Sequence, residues 1–164
     1  MRVAQLQESI RVNAEVSGAV GTGVSAGGVA APARRKVLVI DDSSTIRRTA
    51  EIFLSQAGCQ VLLAEDGFEA LAKVGDMHPD LIFCDILMPR LDGYQTCALI
   101  KKSPRFHAIP VIMLSSRDGV FDRSRGRLVG AQDHLAKPFT RESLLLAVDA
   151  CVPRAAAVAS PLPA

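Results

Sequence analysis

Between Lys36 and Val152, five short apolar runs alternate with stretches of helical periodicity, and this alternation limits the possible folds more than any other feature. KVLVI at 36–40 is short, β-branched and followed by turn-formers, the pattern of a buried strand. Ser43 or Ser44 then offers an N-cap, and Ile46, Ala50, Phe53 and Ala57 recur at helical spacing until Gly58. A second strand is predicted over 60–64 and a helix over 67–77, presenting Ala70, Leu71 and Val74 and closed by His78-Pro79. DLIFCD at 80–85 predicts the third strand, and a loop with Pro89 and Asp92-Gly93 leads to a helix over 94–102. A fourth strand over 111–114, a looser helix over 120–129, a fifth strand over 132–136 and a last helix over 141–152 complete the series. In that last helix Leu144, Leu145 and Val148 are expected to point inward.

Five βα units predict an α/β fold: a doubly wound, five-stranded parallel sheet with helices on both faces. Strands covered on both faces are apolar throughout rather than alternating. In such a sheet the functional site lies beyond the carboxyl ends of the strands, at a topological switch point.

Composition narrows the function. The net charge of +2 comes from the first 35 residues, while from Lys36 onward fifteen basic residues balance fifteen acidic ones. The body is neutral, with no basic surplus for nucleic acid. No run reaches the ~20 apolar residues a membrane span needs. The Gly- and Ala-rich stretch at 16–31 lacks the greasy centre of a signal peptide, so a cytoplasmic protein is expected. Cys59, Cys84, Cys97 and Cys151 form no C-x-x-C pair and read as buried small hydrophobes in a reducing compartment. Residues 1–34 are expected to be a flexible N-terminal tail with at most a short helix over 4–16, 35–152 the folded domain, and 153–164 a flexible C-terminal tail.

The carboxyl-end rule gathers a specific set of groups. Strand one ends in Asp41-Asp42, strand three in Asp85, strand four in Ser115-Ser116 and strand five in Ala136-Lys137-Pro138. Carboxylates about 5 Å apart repel by on the order of 3 kcal/mol per pair at an effective dielectric near 20. Lys137 or a hard divalent cation must neutralise them, and Mg²⁺ suits oxygen ligands while leaving room for a phosphoryl oxygen. A carboxylate facing Mg²⁺ and a lysine can attack phosphorus to form an aspartyl phosphate. Asp85, on the central strand, is the best nucleophile. A lone strand-end Asp commonly does no more than cap the next helix, and a Lys before Pro is commonly an exposed turn residue. Four polar positions on four strand ends of an otherwise apolar sheet are a sharper signal.

With VLVIDDS at 37–43, DILMPRLDG at 85–93, VIMLSS at 111–116 and KPF at 137–139, the chain resembles the CheY-like receiver domains of bacterial response regulators, over Lys36 to Val152. The resemblance implies a flavodoxin-like (βα)5 fold in which Asp85 accepts a phosphoryl group from a histidine kinase or phosphotransfer domain. Asp42, Asp85 and the Leu87 carbonyl would bind Mg²⁺, with Asp41 acting through an intervening water. Lys137 would pair with the phosphate, and Ser115 would be the switch hydroxyl that moves toward it. Such a protein is not an enzyme in the ordinary sense, although it catalyses its own phosphorylation and dephosphorylation.

Two positions depart from the common pattern. The position of the switch aromatic, three residues before the lysine, is held by His134, and because an imidazole is a side chain that can change charge near neutral pH, the switch is expected to be altered or pH-sensitive. Leu87, two residues after the phosphoacceptor, offers no hydrogen bond to a hydrolytic water, so slow self-dephosphorylation is expected.

STIRRTAE (44–51), DGFEALAK (66–73), GYQTCALIK (93–101) and the pattern over 112–130 further resemble the PilG-type regulators of type IV pilus twitching motility, which are single receivers in a chemotaxis-like system. A lone receiver signals by docking, and the family's usual output face is helix four, strand five and helix five. Arg117, Arg123, Arg125 and Arg127, offset by Asp118 and Asp122, tilt that face toward an acidic pilus-machinery or regulatory protein. A monomer that binds no nucleic acid is expected. Three alternatives stand beside this reading: a receiver of a flagellar chemotaxis pathway, an unphosphorylated pseudo-receiver that docks constitutively, and a haloacid-dehalogenase-type phosphatase. The last would need D-x-D, and here the acids are adjacent with Ser at 43. No G-x-G-x-x-G or Walker loop follows the first strand.

Overall fold

The computed structural model describes residues 33–116 and 123–154. One parallel sheet runs in the order β2-β1-β3-β4-β5. Its strands are β1 (Lys36–Ile40), β2 (Gln60–Ala64), β3 (Leu81–Asp85), β4 (Val111–Ser116) and β5 (Asp133–Lys137). The helices are α1 (Ser44–Gln56), α2 (Gly67–Met77), α3 (Gly93–Lys102), α4 (Arg123–Leu128) and α5 (Arg141–Cys151). The chain winds from β1 outward to β2, returns to β3 and continues to β5, so the switch point lies between β1 and β3.

Alternate residues of each central strand feed two separate cores, as the period-2 pleat requires. Val37 and Val39, Leu81 and Phe83, Ile112 and Leu114 pack with Ala50 and Leu54 of α1 and Leu144 and Val148 of α5. Leu38 and Ile40, Ile82 and Cys84, Val111 and Met113 pack with Ala70 and Val74 of α2 and Tyr94, Cys97 and Ile100 of α3. Each fully buried Leu, Ile or Phe contributes about 1.5 to 3 kcal/mol relative to exposure. The edge strands differ from expectation. β2 and β5 keep only half-buried or exposed residues over most of their length, because each has a neighbour on one side only.

Several boundaries move by one or two residues. Asp80 stays outside β3, where its side chain accepts from the Lys36 amide at 2.8 Å. β4 continues through Ser116, because Ser115 and Ser116 pair with Ala136 and Lys137. β5 begins at Asp133 and includes Lys137, a shift of one from the expected span. α3 starts at Gly93 because Asp92 caps it with a capping box shared with Gln95. α4 ends at Leu128, and Gly130, at φ 88°, takes the left-handed turn that follows. The expected part of that helix at 120–122, with Arg117, Asp118 and Asp122, lies outside the described residues, as do the helix expected over 4–16 and most of both tails.

Packing corrects three side-chain assignments. Leu54, absent from the expected stripe, is the most buried large residue of α1, whereas Ile46 and Phe53 are half-buried and Ala57 forms the C-cap. Leu145 is half-buried beside the fully buried Leu144 and Val148. Cys59, Cys84 and Cys97 are buried, but Cys151, in the last turn of α5, is only partly so.

Candidate functional site

The helix N-termini near the carboxyl rim are capped by Ser43, Asp66, Asp92 and Thr140. None of these is a strand-end carboxylate, so Asp41, Asp42 and Asp85 are not spent on capping. Asp41 is fully buried, Asp85 is 3% exposed and Asp42 faces solvent. One oxygen from each of the three carboxylates falls in a group whose members all lie within 4.8 Å of one another. Adjacency of β1 and β3 at the switch point creates this cluster, because Asp41 and Asp85 each follow directly on the paired residues Ile40 and Cys84.

Lys137 reaches the cluster from β5. Its Nζ donates to Asp85 Oδ1 at 2.9 Å and to Asp41 Oδ2 at 3.0 Å. The other oxygen of Asp41 accepts from the Ser43 amide at 2.9 Å, which turns the chain from β1 into α1. Arg47, on α1, donates to the Asp41 carbonyl at 2.7 Å and ties the helix to the same turn.

The charges do not cancel, since three carboxylates face one ammonium. Burial raises the Asp85 carboxyl from its ordinary 3.8 to about 6; the Lys137 hydrogen bond pulls the other way, and Asp41 adds to the rise. Burial on its own would lower the Lys137 ammonium, but its hydrogen bonds to Asp85 and Asp41 outweigh this and leave it raised. An all-oxygen donor set with surplus negative charge and one member open to water fits a hard divalent cation such as Mg²⁺.

The remaining expected site residues fall at different distances from this cluster. Ser115 is 7% exposed and follows Leu114, the register partner of Asp85, so it stands at the same rim on the adjacent strand. Leu87 lies in the loop after β3 with its side chain 68% exposed. His134 pairs with Met113, two positions before the pairing of Ser115 with Ala136, and is half-buried. Its Nδ1 is 3.6 Å from an Asp133 oxygen.

Sequence reasoning passed over Arg47 and Gly93. Arg47 reads as one more polar residue of an amphipathic helix, and nothing in its spacing signals that it folds back on Asp41. The sequence pattern puts Asp92-Gly93 in the loop before a helix over 94–102; in the structure Gly93 opens α3 and its amide donates to the Ile86 carbonyl at 2.9 Å.

Comparison with known proteins agrees with this geometry. A family model described as the response regulator receiver domain matches residues 37–149. The chain is 63% identical over 118 residues to Protein PilG of Pseudomonas aeruginosa, covering 72% of this chain and 87% of that protein. It is 38% identical over 119 residues to Response regulator MprA of Mycobacterium sp. (strain KMS), covering 73% of this chain and 51% of that protein, so it spans about half of MprA. Among solved structures, the chemotaxis response regulator CheY4 of Vibrio cholerae aligns with a TM-score of 0.69 at 33% identity, covering 73% of this chain and all of that one.

Proposed function

The chain belongs to the response regulator receiver domain family of two-component signalling, and from that premise we propose that it is a phosphoryl-accepting switch of a chemotaxis-like relay controlling type IV pilus twitching motility. The observation that carries the chemistry is the Lys137 ammonium shared between Asp85 at 2.9 Å and Asp41 at 3.0 Å. Similarity to PilG along most of that protein's length carries the pilus assignment.

In this reading an Asp85 oxygen attacks the phosphorus of a phosphohistidine on a kinase or phosphotransfer domain. The new O–P bond forms as the N–P bond breaks, and the donor imidazole leaves. Lys137 moves its hydrogen bonds from carboxylate to a phosphoryl oxygen, and the Ser115 hydroxyl donates to another. Asp42, Asp85 and the Leu87 carbonyl would hold Mg²⁺, with Asp41 contributing beside them. When bound, Mg²⁺ offsets the carboxylate charge and the charge on the transferring oxygens. The buried position of Asp85 limits access of hydrolytic water, and Leu87 supplies no hydrogen bond to orient one.

The signal then leaves by docking. A cleft of about 200 Å³ lies between α4 and β5, lined among others by Arg123, Arg127 and His134. Its two guanidiniums suit an acidic segment of a downstream pilus or regulatory protein. Among the described residues no helix is long and apolar enough to cross a membrane. The protein acts as a cytoplasmic monomer without nucleic acid.

The test is incubation with Mg²⁺ and a small phosphodonor such as phosphoramidate, followed by intact-mass measurement. Wild type gains one phosphoryl group and Asp85→Asn gains none. A strain lacking the protein recovers surface spreading with wild type and not with Asp85→Asn. Spreading restored equally by both forms refutes the phosphoryl switch.

A further inference from the structure

We propose that Arg90 is a positioning residue for the cation and phosphoryl site, acting through a latch onto Asp66 and Phe68 of the neighbouring loop and helix. The inference rests on the proposed function, in which the loop after β3 supplies the Leu87 carbonyl to Mg²⁺.

The loop is pinned at both ends. The Ile86 amide donates to the Leu114 carbonyl at 3.1 Å, and the Gly93 amide donates back to the Ile86 carbonyl at 2.9 Å. Between them, Leu91 donates to the Pro89 carbonyl at 2.8 Å, and Arg90 adopts φ 68°. That left-handed backbone is one a side chain other than glycine's occupies at a cost. Conformations of this kind persist where the surroundings over-determine them.

At Arg90 the surroundings are visible. Its guanidinium donates to Asp66 Oδ2 at 2.9 Å and lies 5.4 Å from the centre of the Phe68 ring. Asp66 is itself held, because its Oδ1 accepts the Glu69 amide at 2.8 Å as the N-cap of α2. The Asp66 side chain is only 18% exposed, which limits screening of the pair although Arg90 is 66% exposed. Phe68 is 55% exposed, and the Arg90 guanidinium lies over its ring. One side chain thus ties the positive-φ position of the β3–α3 loop to the capped helix packed beside it. Glycine would fit that backbone better and could not make the tie.

Strain and latch are separable by mutation of the full chain. Mg²⁺ affinity is read by isothermal titration calorimetry and by amide shifts at Asp42, Asp85 and Leu87, and stability by thermal melting. Arg90→Gly relieves the backbone and removes the latch, so its Tm stays level or rises while its Kd for Mg²⁺ increases roughly tenfold. Asp66→Asn keeps a good N-cap but loses the charge, and its Kd moves in the same direction. Combining the two weakens Mg²⁺ no further than Arg90→Gly alone, the signature of one shared contact. A residue that mattered only for stability would move Tm and affinity together. Wild type that binds Mg²⁺, beside Arg90→Gly and Asp66→Asn variants that bind it equally well, overturns the latch and leaves the proposed function standing. Wild type that binds no Mg²⁺ overturns both.

Discussion

Gly93 lies so close to the end of β3 that a Cβ built on it would fall 2.2 Å from the Asp85 carbonyl oxygen and 2.8 Å from the Ile86 Cα. The first residue of α3 is therefore in direct contact with the peptide of Asp85. Only a residue without a side chain permits this, since both atoms in the way belong to backbone.

Gly93→Ala is expected to push α3 away from β3. The overlap costs roughly 3 kcal/mol, offset by about 1 kcal/mol of helix propensity, for a net loss on the order of 2 kcal/mol. Urea unfolding checks the stability, and the phosphoramidate reaction checks Asp85, which should be phosphorylated more slowly. A variant that matched wild type in both would show that the loop adapts freely.

Asp85 makes stability depend on pH in the direction opposite to that of an ordinary paired carboxylate. Its carboxyl titrates near 6 when folded, against an ordinary 3.8. Between those values the folded protein holds a proton that the unfolded chain has lost, so stability falls as pH rises through the window and the cost persists above it. At pH 7 this cost is on the order of 2 to 3 kcal/mol. In Mg²⁺-free buffer Asp85→Asn should unfold at a higher urea midpoint than wild type at pH 7, with the gap closing toward pH 4. A gap independent of pH would contradict the assignment.

Removing the ammonium should have the reverse effect. Lys137→Met leaves buried Asp41 and Asp85 facing each other without their common donor. A loss of roughly 3 kcal/mol at neutral pH is expected. Pairing the change with Asp85→Asn should recover most of it, which melting of the single and double variants would reveal. Equal melting temperatures for the two would mean that the ammonium contributes elsewhere.

Leu87, 68% exposed in the loop after Asp85, presents a hydrocarbon where a polar side chain could hold water. Leu87→Asn is expected to shorten the phosphoryl lifetime roughly tenfold. Decay of phosphorylated protein after removal of the donor measures it directly, and unchanged decay would place control of hydrolysis at another residue.

The cleft beside α4 carries the docking proposal. Arg127→Glu reverses one of its charges while leaving Lys137 at the opposite end of β5 untouched. Phosphorylation by phosphoramidate at the wild-type rate, together with lost surface spreading, is the expected pair of results. Intact spreading would move the docking face elsewhere.

Much of this architecture was legible before folding. The runs at 36–40, 81–84 and 111–114 are apolar at successive positions and so on both sides of a strand, which a doubly covered parallel sheet explains. Asp41, Asp42, Asp85 and Lys137 were legible for a related reason: any one of them alone could serve as a cap or a turn residue, but together they fall at the carboxyl ends of three strands of one apolar sheet. Ser115 belongs to the same rim. His134 shows the limit of this reasoning: its spacing from Lys137 picks it out, but its environment depends on β5 being an edge strand beside α4.

Local pattern and strand-end chemistry depend on neighbours in the chain, so the order of elements, the parallel sheet and the carboxylate-lysine set can be read from the order of residues. The tertiary structure alone decided how those groups meet. Lys137 stands 52 residues from Asp85 and 96 from Asp41, and no periodicity encodes which oxygen each hydrogen bond takes. The contact of Gly93 with the Asp85 peptide, the hold of Arg47 on the Asp41 carbonyl and the reach of Arg90 to Asp66 are likewise set by how helices settle on a twisted sheet. Those positions depend on the summed packing of both cores, which distributes over many residues and leaves no mark on any one of them.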